Sequence, residues 1–364
     1  MSHMAIRPPD EEFVAIEEIR AAARRNLPLQ AWEFLESGAG TESTLRANRE
    51  AFGRWVIRPR PMSGVSDPGT SATILGIPLA LPIFTAPFGG DALFCPDGHR
   101  AVARANAACG TGSIVPEVGS FSWEDVRAAA PPAVRIAQLH PWDSFDHAAA
   151  RIKAAGYDVL CVTVDCPQTG FRVRSAMSRF HPDRRVWSGN ATAEEGTPTA
   201  NDMFTLGVSA AAPAWSWQQL ARAAQRAGMP WIAKGIVTGE AALAALAAGA
   251  SGVIVSNHGG RQVDPAPASL DAIPEVTAAV AGRVPVLLDS GVRSGADVLL
   301  ALALGADAVV IGRLAAYGLA AAGEAGVRRV IELLGEELRT LMILAGLPDL
   351  KSVTRDVIAP REAR

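Results

Sequence analysis

The sequence predicts an α/β fold, a (β/α)8 TIM barrel with an N-terminal helical arm and a lid insertion after the fourth strand. Short apolar runs recur along the chain, which is the pattern of strands buried on both faces of a parallel sheet. Ala-rich segments of helical period separate these runs. Eight such units with right-handed crossovers close into a barrel of about 250 residues, and the 364 residues of the chain leave room for additional segments.

The pattern places each strand and helix in chain order. The eight predicted strands are Pro82–Pro87, Gly112–Pro116, Val134–Leu139, Val159–Asp165, Trp231–Lys234, Gly252–Ser256, Val284–Asp289 and Ala308–Gly312. The predicted helices are Gly98–Ala108, Ser122–Ala130, Phe145–Ala155, Ser216–Ala227, Gly239–Ala248, Ala268–Val280, Gly295–Leu304 and a long final one over Glu324–Ala345.

Two segments extend the barrel. Residues 1–80 are predicted to form the arm, in which a hairpin over Ser71–Leu79 caps the barrel floor. Residues 178–214 are rich in Gly, Pro, Ser, Asn and charge, and they lie on the face where barrel enzymes hold their active sites. We interpret this stretch as a lid, with a surface loop that has no role as the alternative. No linker divides the chain, so residues 1–364 are expected to form one domain.

The composition argues against nucleic acids and membranes as partners. The formal net charge is -3 and the pI is near 6.1, so no broad positive field attracts phosphate-rich polymers or anionic lipids. The longest apolar runs, such as Ala241–Ala250 and Val298–Val310, are shorter than the roughly 20 residues of a membrane-spanning helix. No charged-then-apolar export segment is visible near the start, and we expect a cytoplasmic protein.

The four cysteines predict neither a metal cluster nor a disulfide framework. Cys95, Cys109, Cys161 and Cys166 form no C-x-x-C pair. We expect them to be reduced and buried, and we expect no metal.

Polar residues cluster where the predicted strands end, which is where side chains of a barrel point into the active site. Lys234 closes a buried apolar run, and an ammonium in such a place needs an anion or an electron-rich ligand. It is either a cation that faces a cofactor or half of a structural salt bridge. His258, with Asp165 as partner, is typical of a general base, and Arg261 and Arg172 offer guanidinium forks for a carboxylate.

The loops after strands seven and eight carry the features of a phosphate site. Asp289, Gly291 and Arg293 follow strand seven, and Gly312 and Arg313 follow strand eight. Backbone amides at these two loops commonly hold a phosphate in such barrels. Arginine side chains at both places make a phosphate monoester the expected ligand.

Several longer motifs resemble one enzyme family. They are ESGAGTESTLRANREAF (36–52), TVDCP (163–167), SNHGGRQVD (256–264), LLDSGVRSGADVLLALALGADAVVIGR (287–313) and GEAGVRRVIELLGEEL (323–338). These motifs are similar to those of the FMN-dependent 2-hydroxy acid oxidases and dehydrogenases, the family of glycolate oxidase, lactate oxidase and mandelate dehydrogenase. The resemblance extends from about residue 15 to residue 359, and the histidine-centred motif is highly specific.

The resemblance implies a role for each matching residue. His258 matches the catalytic base, Asp165 the carboxylate that orients it, and Lys234 the lysine beside flavin N1, which counts among the catalytic residues. Arg261 and Arg172 match the substrate carboxylate clamp. The FMN contacts implied by the family, together with two residues after strand one, are Pro87, Phe88, Gln138, Thr163, Lys234, Ser256, Asp289, Gly291, Arg293, Gly312 and Arg313.

The chain departs from the family at the substrate. Phe34 and His140 stand where relatives have tyrosines, and the only tyrosines, Tyr157 and Tyr317, fall elsewhere. Phe34 cannot donate to a carboxylate, whereas His140 is either a second polar contact or a packing residue. The walls after strands one and two are also altered, at Phe88-Gly89-Gly90 and Pro116-Glu117-Val118-Gly119. We therefore expect an atypical, bulky small-molecule carboxylic acid as substrate.

The expected activity is oxidation of a 2-hydroxy acid to the 2-keto acid, with dioxygen as the favoured electron acceptor. Three alternatives remain open: oxidative decarboxylation of the monooxygenase type, a dehydrogenase that uses another acceptor, and a flavin-binding protein without turnover. The family resemblance also implies a homo-oligomer, a tetramer or octamer, which the Ala-rich outer helices favour.

Overall fold

The computed structural model describes residues 13–131, 133–179, 183–191 and 215–361. Its helices are α1 (Ile16–Asn26), α2 (Leu29–Glu36), α3 (Ser43–Gly53), α4 (Gly98–Cys109), α5 (Trp123–Ala129), α6 (Phe145–Ala154), α7 (Val173–Met177), α8 (Trp217–Ala227), α9 (Gly239–Ala247), α10 (Ser269–Val280), α11 (Gly295–Ala303) and α12 (Arg313–Leu344). Its strands are β1 (Trp55–Ile57), β2 (Ala72–Ile74), β3 (Ile77–Leu79), β4 (Ile83–Thr85), β5 (Gly112–Val115), β6 (Val134–Leu139), β7 (Val159–Thr163), β8 (Trp231–Ile236), β9 (Gly252–Val255), β10 (Val286–Asp289), β11 (Ala308–Ile311) and β12 (Ile358–Pro360).

Strands β4 to β11 form a closed parallel barrel in chain order, which confirms the predicted fold. The barrel closes where β11 pairs with β4, with Val310 opposite Phe84. All eight predicted strands are present, and β6 has the predicted bounds. The fifth barrel strand runs past Lys234 to Ile236, because the register with β9 shifts there and the chain continues in the sheet.

The β2–β3 hairpin lies at the end of the barrel where the strands begin. Ile74, Ile77 and Leu79 belong to the same buried cluster as the barrel interior, which includes Phe84 and Ile136. The backbone N–H of Ala80 donates to the carbonyl of Gly110 just before β5. The hairpin therefore closes the floor of the barrel, and the opposite mouth remains available for a site.

The final helix differs from the prediction. We expected it over Glu324–Ala345, but α12 begins at Arg313 and bends at Ala322 and Gly323, where the backbone leaves helical angles. Every residue from Leu314 to Ala321 is buried. A helix turn that is apolar on all sides lacks the polar stripe on which recognition from sequence depends.

The N-terminal arm is held to the barrel by hydrogen bonds. The amides of Asn48 and Asn257 bond each other in the core at 2.7 and 2.9 Å. The Asp264 carboxylate accepts hydrogen bonds from the hydroxyl groups of Thr41, Ser43 and Thr44. These contacts fix α3 and the loop before it against the segment that follows β9. In the described ranges, we find no helix with the length and apolar character needed to cross a bilayer.

Most of the predicted lid, residues 178–214, lies outside the described residues. Residues 183–191 are described, and they rest on the loop after β5. The Ser120 hydroxyl donates to the carbonyl of Val186 at 2.6 Å, and the N–H of Gly189 donates to the carbonyl of Gly119 at 3.0 Å. This short part of the insertion therefore forms part of the wall around the barrel mouth.

Candidate active site

A cavity opens where the barrel strands end, and most of the predicted site residues line it. They are Phe34, Pro87, Phe88, Gln138, His140, Thr163, Arg172, Lys234, His258, Arg261, Asp289, Gly291, Arg293, Gly312 and Arg313. Asp165 and Ser256 are not among the lining residues. The topology brings these groups together because the carboxyl ends of parallel strands meet on one face of the barrel.

His258, at the cavity wall, pairs with Asp165 behind it. The imidazole Nδ1 lies 3.3 Å from Oδ1 of Asp165, and the thiol of Cys166 lies 3.4 Å from the same oxygen. Burial by itself raises the pKa of Asp165, but the pairing with His258 and the charge of Lys234 lower it to about 2. Burial lowers the pKa of His258, against the opposing pull of Asp165. A neutral imidazole held by an ionised carboxylate is suited to accept a proton.

Lys234 is both an ion-pair partner and a cavity residue. Its Nζ lies 3.1 Å from Oδ2 of Asp289 and donates to the Ser256 hydroxyl at 3.0 Å. Burial disfavours the ammonium, yet the carboxylates of Asp289 and Asp165 raise the pKa of Lys234. Lys234 is therefore half of an ion pair and a fixed cation at the cavity, and its contact with a cofactor stays a prediction. The Ser256 hydroxyl accepts hydrogen bonds from Lys234 and from the His258 backbone, and its contact with the cofactor stays a prediction.

Arg172 and Arg261 reach the same cavity without a carboxylate partner in the described parts of the chain. Arg261 donates through Nη1 to the carbonyls of Phe34 and Ser37, each at 2.8 Å. Arg172 donates through Nε to the carbonyl of Arg261 at 3.3 Å. Burial and the charge of Arg172 hold the pKa of Arg261 well below its usual value. Two cations that repel each other next to a cavity form a site for an anion.

Arg293 and Arg313 form a second cationic group at the loops after β10 and β11. Arg313 donates to the carbonyls of Leu35, Gly259 and Ser37, each at 2.9 Å. Burial, followed by repulsion from Arg293, lowers the pKa of Arg313 to about 10. Gly259 lies against this guanidinium, since a Cβ on it would come within 2.7 Å of Nη1. Because Gly259 has no side chain, it leaves room for the Arg313 guanidinium as well as for a ligand.

An aromatic wall was not predicted from the sequence. Trp187, from the described part of the insertion, is 3% exposed and lines the cavity with Phe34, whose ring centre lies 5.5 Å away. A Cβ on Gly90 would come within 2.2 Å of the Trp187 ring. The unusual Gly89-Gly90 pair after β4 indicates that another group packs closely there. The pair does not indicate that this group is Trp187, which is distant in the chain.

His140 is held by a carboxylate that the sequence did not assign to the site. Its Nδ1 and its backbone nitrogen both lie 2.8 Å from Oε2 of Glu117, and its ring stacks on Trp142 with centres 4.2 Å apart. The His140 and Glu117 side chains are only 10% and 9% exposed. His140 therefore faces the cavity as a fixed polar group.

The four cysteines are free, as expected, but only Cys161 is fully buried. Cys166 lines the cavity, and its Sγ lies 3.4 Å from Nδ1 of His258. The sequence predicts a buried thiol here, whereas the structure places Cys166 at the cavity wall.

Comparison with known proteins identifies the family. The family model of the FMN-dependent dehydrogenases matches residues 23–360. The chain is 38% identical to the peroxisomal (S)-2-hydroxyacid oxidase GLO3 of Arabidopsis thaliana over 97% of this chain and 98% of that protein. It is 38% identical to the L-lactate oxidase of Nostoc, over 92% of this chain and 95% of the relative. A crystal structure of mandelate oxidase superposes with a TM-score of 0.86 at 35% identity, covering 96% of this chain and 98% of that one. The chain therefore belongs to the FMN-dependent dehydrogenase family.

Proposed function

We propose that the protein oxidises a 2-hydroxy acid to the 2-keto acid with FMN and passes the electrons to dioxygen. The observation that carries this proposal is the grouping of a His258–Asp165 pair, the Arg172 and Arg261 cations and Lys234 around one cavity. These groups supply a base, an anion clamp and a fixed positive charge. Relatives named as (S)-2-hydroxyacid oxidase and L-lactate oxidase support the same substrate class.

The cavity fits FMN at both of its ends. Arg293 and Arg313 are half-buried cations without a carboxylate partner among the described residues, so a phosphate would neutralise them. At the other end, Gln138 and Thr163 offer polar atoms beside Lys234. When bound, FMN supplies a two-electron acceptor whose reduced, anionic form a nearby cation stabilises.

The protein's own groups hold the substrate and move one proton. Arg172 and Arg261 hold the carboxylate through their unused N–H donors, which fixes the second carbon of the acid relative to His258. His258 accepts the hydroxyl proton at Nε2 while its Nδ1–H continues to donate to Asp165. The ionised Asp165 then stabilises the imidazolium that forms. Lys234 keeps its charge throughout because Asp289 pairs with it.

We propose a bulky or aromatic side chain on the substrate. Phe34, Phe88, Trp142 and Trp187 present apolar rings to the cavity, and such surfaces favour an apolar or aryl group. His140 adds one polar contact to this wall. The absence of the tyrosine hydroxyl at Phe34 leaves the carboxylate with one donor fewer than in a site built around tyrosine.

The proposed reaction is tested by adding acids to the purified protein without oxygen. We expect the absorbance of bound flavin to bleach with aryl 2-hydroxy acids, to bleach more slowly with glycolate or lactate, and to recover with formation of peroxide when air is admitted. A keto acid should accumulate in equal amount. A colourless protein that cannot be loaded with FMN, or a flavin that no 2-hydroxy acid reduces, would refute the proposal, and a shortened acid with carbon dioxide would indicate oxidative decarboxylation.

The pH dependence should follow His258, which acts as a base only when neutral. Because burial lowers the pKa of His258, the rate of flavin reduction should fall with decreasing pH only below the ordinary imidazole pKa of about 6.5. Asp165 raises the pKa of His258, so Asp165→Asn should shift this acid limb to lower pH and reduce the plateau rate. Stopped-flow reduction across pH 5–9 measures both, and an unchanged limb in the variant would contradict the pairing.

Phe34→Tyr is expected to shift preference towards small acids. The added hydroxyl supplies a donor worth on the order of 1 kcal/mol to a bound carboxylate, while it takes space from a large side chain. We expect the kcat/KM ratio of lactate to mandelate to rise several-fold. Phe94→Tyr, elsewhere in the cavity lining, is the matched control, and an equal ratio in wild type and Phe34→Tyr would show that residue 34 does not contact the acid.

We also propose a homotetramer or octamer located in the cytoplasm. The family resemblance and the Ala-rich outer helices support assembly, whereas plant relatives named as peroxisomal make the peroxisome the competing location. Light scattering on the purified protein and fractionation of the native cells test these two points.

A further inference from the structure

We propose that Asp165, Cys166 and His258 form a site for a thiophilic divalent cation such as zinc, and that this ion switches off the base at His258. The inhibitory effect rests on the proposed function, whereas the binding of the ion does not. The three residues come from the loop after β7 and from the loop after β9, and they bring together a carboxylate, a thiol and an imidazole. This is the mixed donor set that zinc takes in proteins.

The three donor atoms already have the spacing of ligands around one ion. Sγ of Cys166 lies 3.4 Å from Nδ1 of His258 and 3.4 Å from Oδ1 of Asp165, and these last two atoms are 3.3 Å apart. Tetrahedral zinc with its usual bond lengths holds sulfur, nitrogen and oxygen donors about 3.3–3.6 Å from one another. Binding would therefore need little rearrangement of the side chains.

The surroundings of the three residues provide a free acceptor oxygen and access from solvent. Oδ2 of Asp165 is buried and has no hydrogen-bond partner among the described residues. Cys166 and His258 line the cavity, so an ion can reach them from solvent and keep water as its fourth ligand. Lys234 and Arg172 act on Cys166 and His258 as cations. Lys234 is paired with Asp289 at 3.1 Å, and Arg172 donates through Nε to the carbonyl of Arg261 at 3.3 Å.

The protons and charges of the complex balance. The Cys166 thiol loses one proton to solvent, and the imidazole proton of His258 moves from Nδ1 to Nε2 as the ion takes its place at Nδ1. The two positive charges of the ion then meet one thiolate and one carboxylate, so the metal site is neutral. No electron is transferred, and no other reactant is needed.

The shift of this proton explains the inhibition. In the metal-free protein, Nδ1–H donates to Asp165 and Nε2 keeps the lone pair that accepts the substrate proton. With the ion on Nδ1, Nε2 carries the only ring proton and has no free lone pair. His258 can then bind metal or act as a base, but it cannot do both.

The test is zinc binding to the FMN-loaded protein by equilibrium dialysis in a non-chelating buffer. We expect one equivalent of zinc in the wild type and at least tenfold weaker binding in Cys166→Ser and Cys166→Ala. The matched control is Cys109→Ser, which removes a half-buried thiol at the end of α4 and should leave binding unchanged. Flavin absorbance and the melting temperature verify that each variant is folded.

Cadmium-113 NMR and flavin reduction complete the test. Cadmium bound to the wild type should show the resonance of a sulfur-ligated ion, which Cys166→Ser should lose. Zinc should stop flavin reduction by substrate in the wild type, and EDTA should restore it. Flavin reduction by Cys166→Ser should continue in the presence of zinc.

Absence of zinc from the wild type, or equal binding by the Cys166 variants, would overturn the site. Bound zinc that leaves reduction unaffected would overturn the inhibitory role. Dialysis and NMR need no turnover, so their outcome stands apart from that of the proposed function.

Discussion

His258→Ala is expected to abolish flavin reduction by substrate while FMN stays bound. The imidazole is the proposed acceptor of the hydroxyl proton, held by Asp165 at 3.3 Å. Loss of a general base costs about 10²- to 10⁴-fold in rate, whereas the phosphate-binding arginines are left untouched. Anaerobic stopped-flow spectroscopy measures the rate, and the flavin content of the purified variant measures retention.

His147→Ala is the matched control for this substitution. His147 is exposed on α6, outside the cavity lining, and its replacement should leave the reduction rate unchanged. Equal reduction rates in the wild type and in His258→Ala would rule out His258 as the base. Loss of flavin from His258→Ala would instead assign the residue to cofactor binding.

Arg313→Ala is expected to weaken FMN retention far more than it slows chemistry. Arg313 is half-buried at the start of α12, and desolvation together with Arg293 lowers its pKa to about 10, which marks a cation that needs an anion. A lost hydrogen bond to a charged group costs about 1.5–3 kcal/mol, or roughly 10- to 100-fold in the FMN dissociation constant. Titration of the apoprotein with FMN, followed by quenching of flavin fluorescence, measures this constant.

Arg328→Ala provides the control because Arg328 is half exposed on α12, where it pairs with Glu332. Its removal should leave FMN affinity unchanged. An Arg313→Ala variant that retains wild-type affinity would show that the phosphate lies elsewhere. Arg313→Ala also removes the hydrogen bonds that the guanidinium donates to the carbonyls of Leu35 and Ser37, so Arg313→Lys, which restores the charge, should recover part of the affinity that Arg313→Ala loses.

The barrel and the polar strand ends were predictable because each depends on local sequence. Continuous apolar runs identify the buried strands, and a parallel barrel brings all their carboxyl ends to one face. Lys234 and Asp289 could therefore be placed at the same mouth before any distance was known. Their side chains can meet at 3.1 Å because only one strand, β9, lies between β8 and β10 in the barrel.

Contacts between distant, irregular segments were not predictable. Glu117 contacts His140 because the loop after β5 folds over the end of β6. The hydrophobic periodicity of the sequence does not predict such a contact between loops. Trp187 packs over Gly90 across almost a hundred residues of chain. The first turns of α12 were missed for a different reason, because they are buried on every side and show no amphipathic pattern.

The central claim is that one cavity holds FMN beneath a base and a carboxylate clamp, and a crystal structure of the FMN-loaded protein with a bound 2-hydroxy acid analogue tests it most directly. The account predicts density for the phosphate against Arg293 and Arg313, and for the carboxylate of the analogue against Arg172 and Arg261, with the imidazole of His258 turned towards the analogue. An empty barrel mouth at saturating FMN, or an imidazole turned away from the bound acid, would contradict the account.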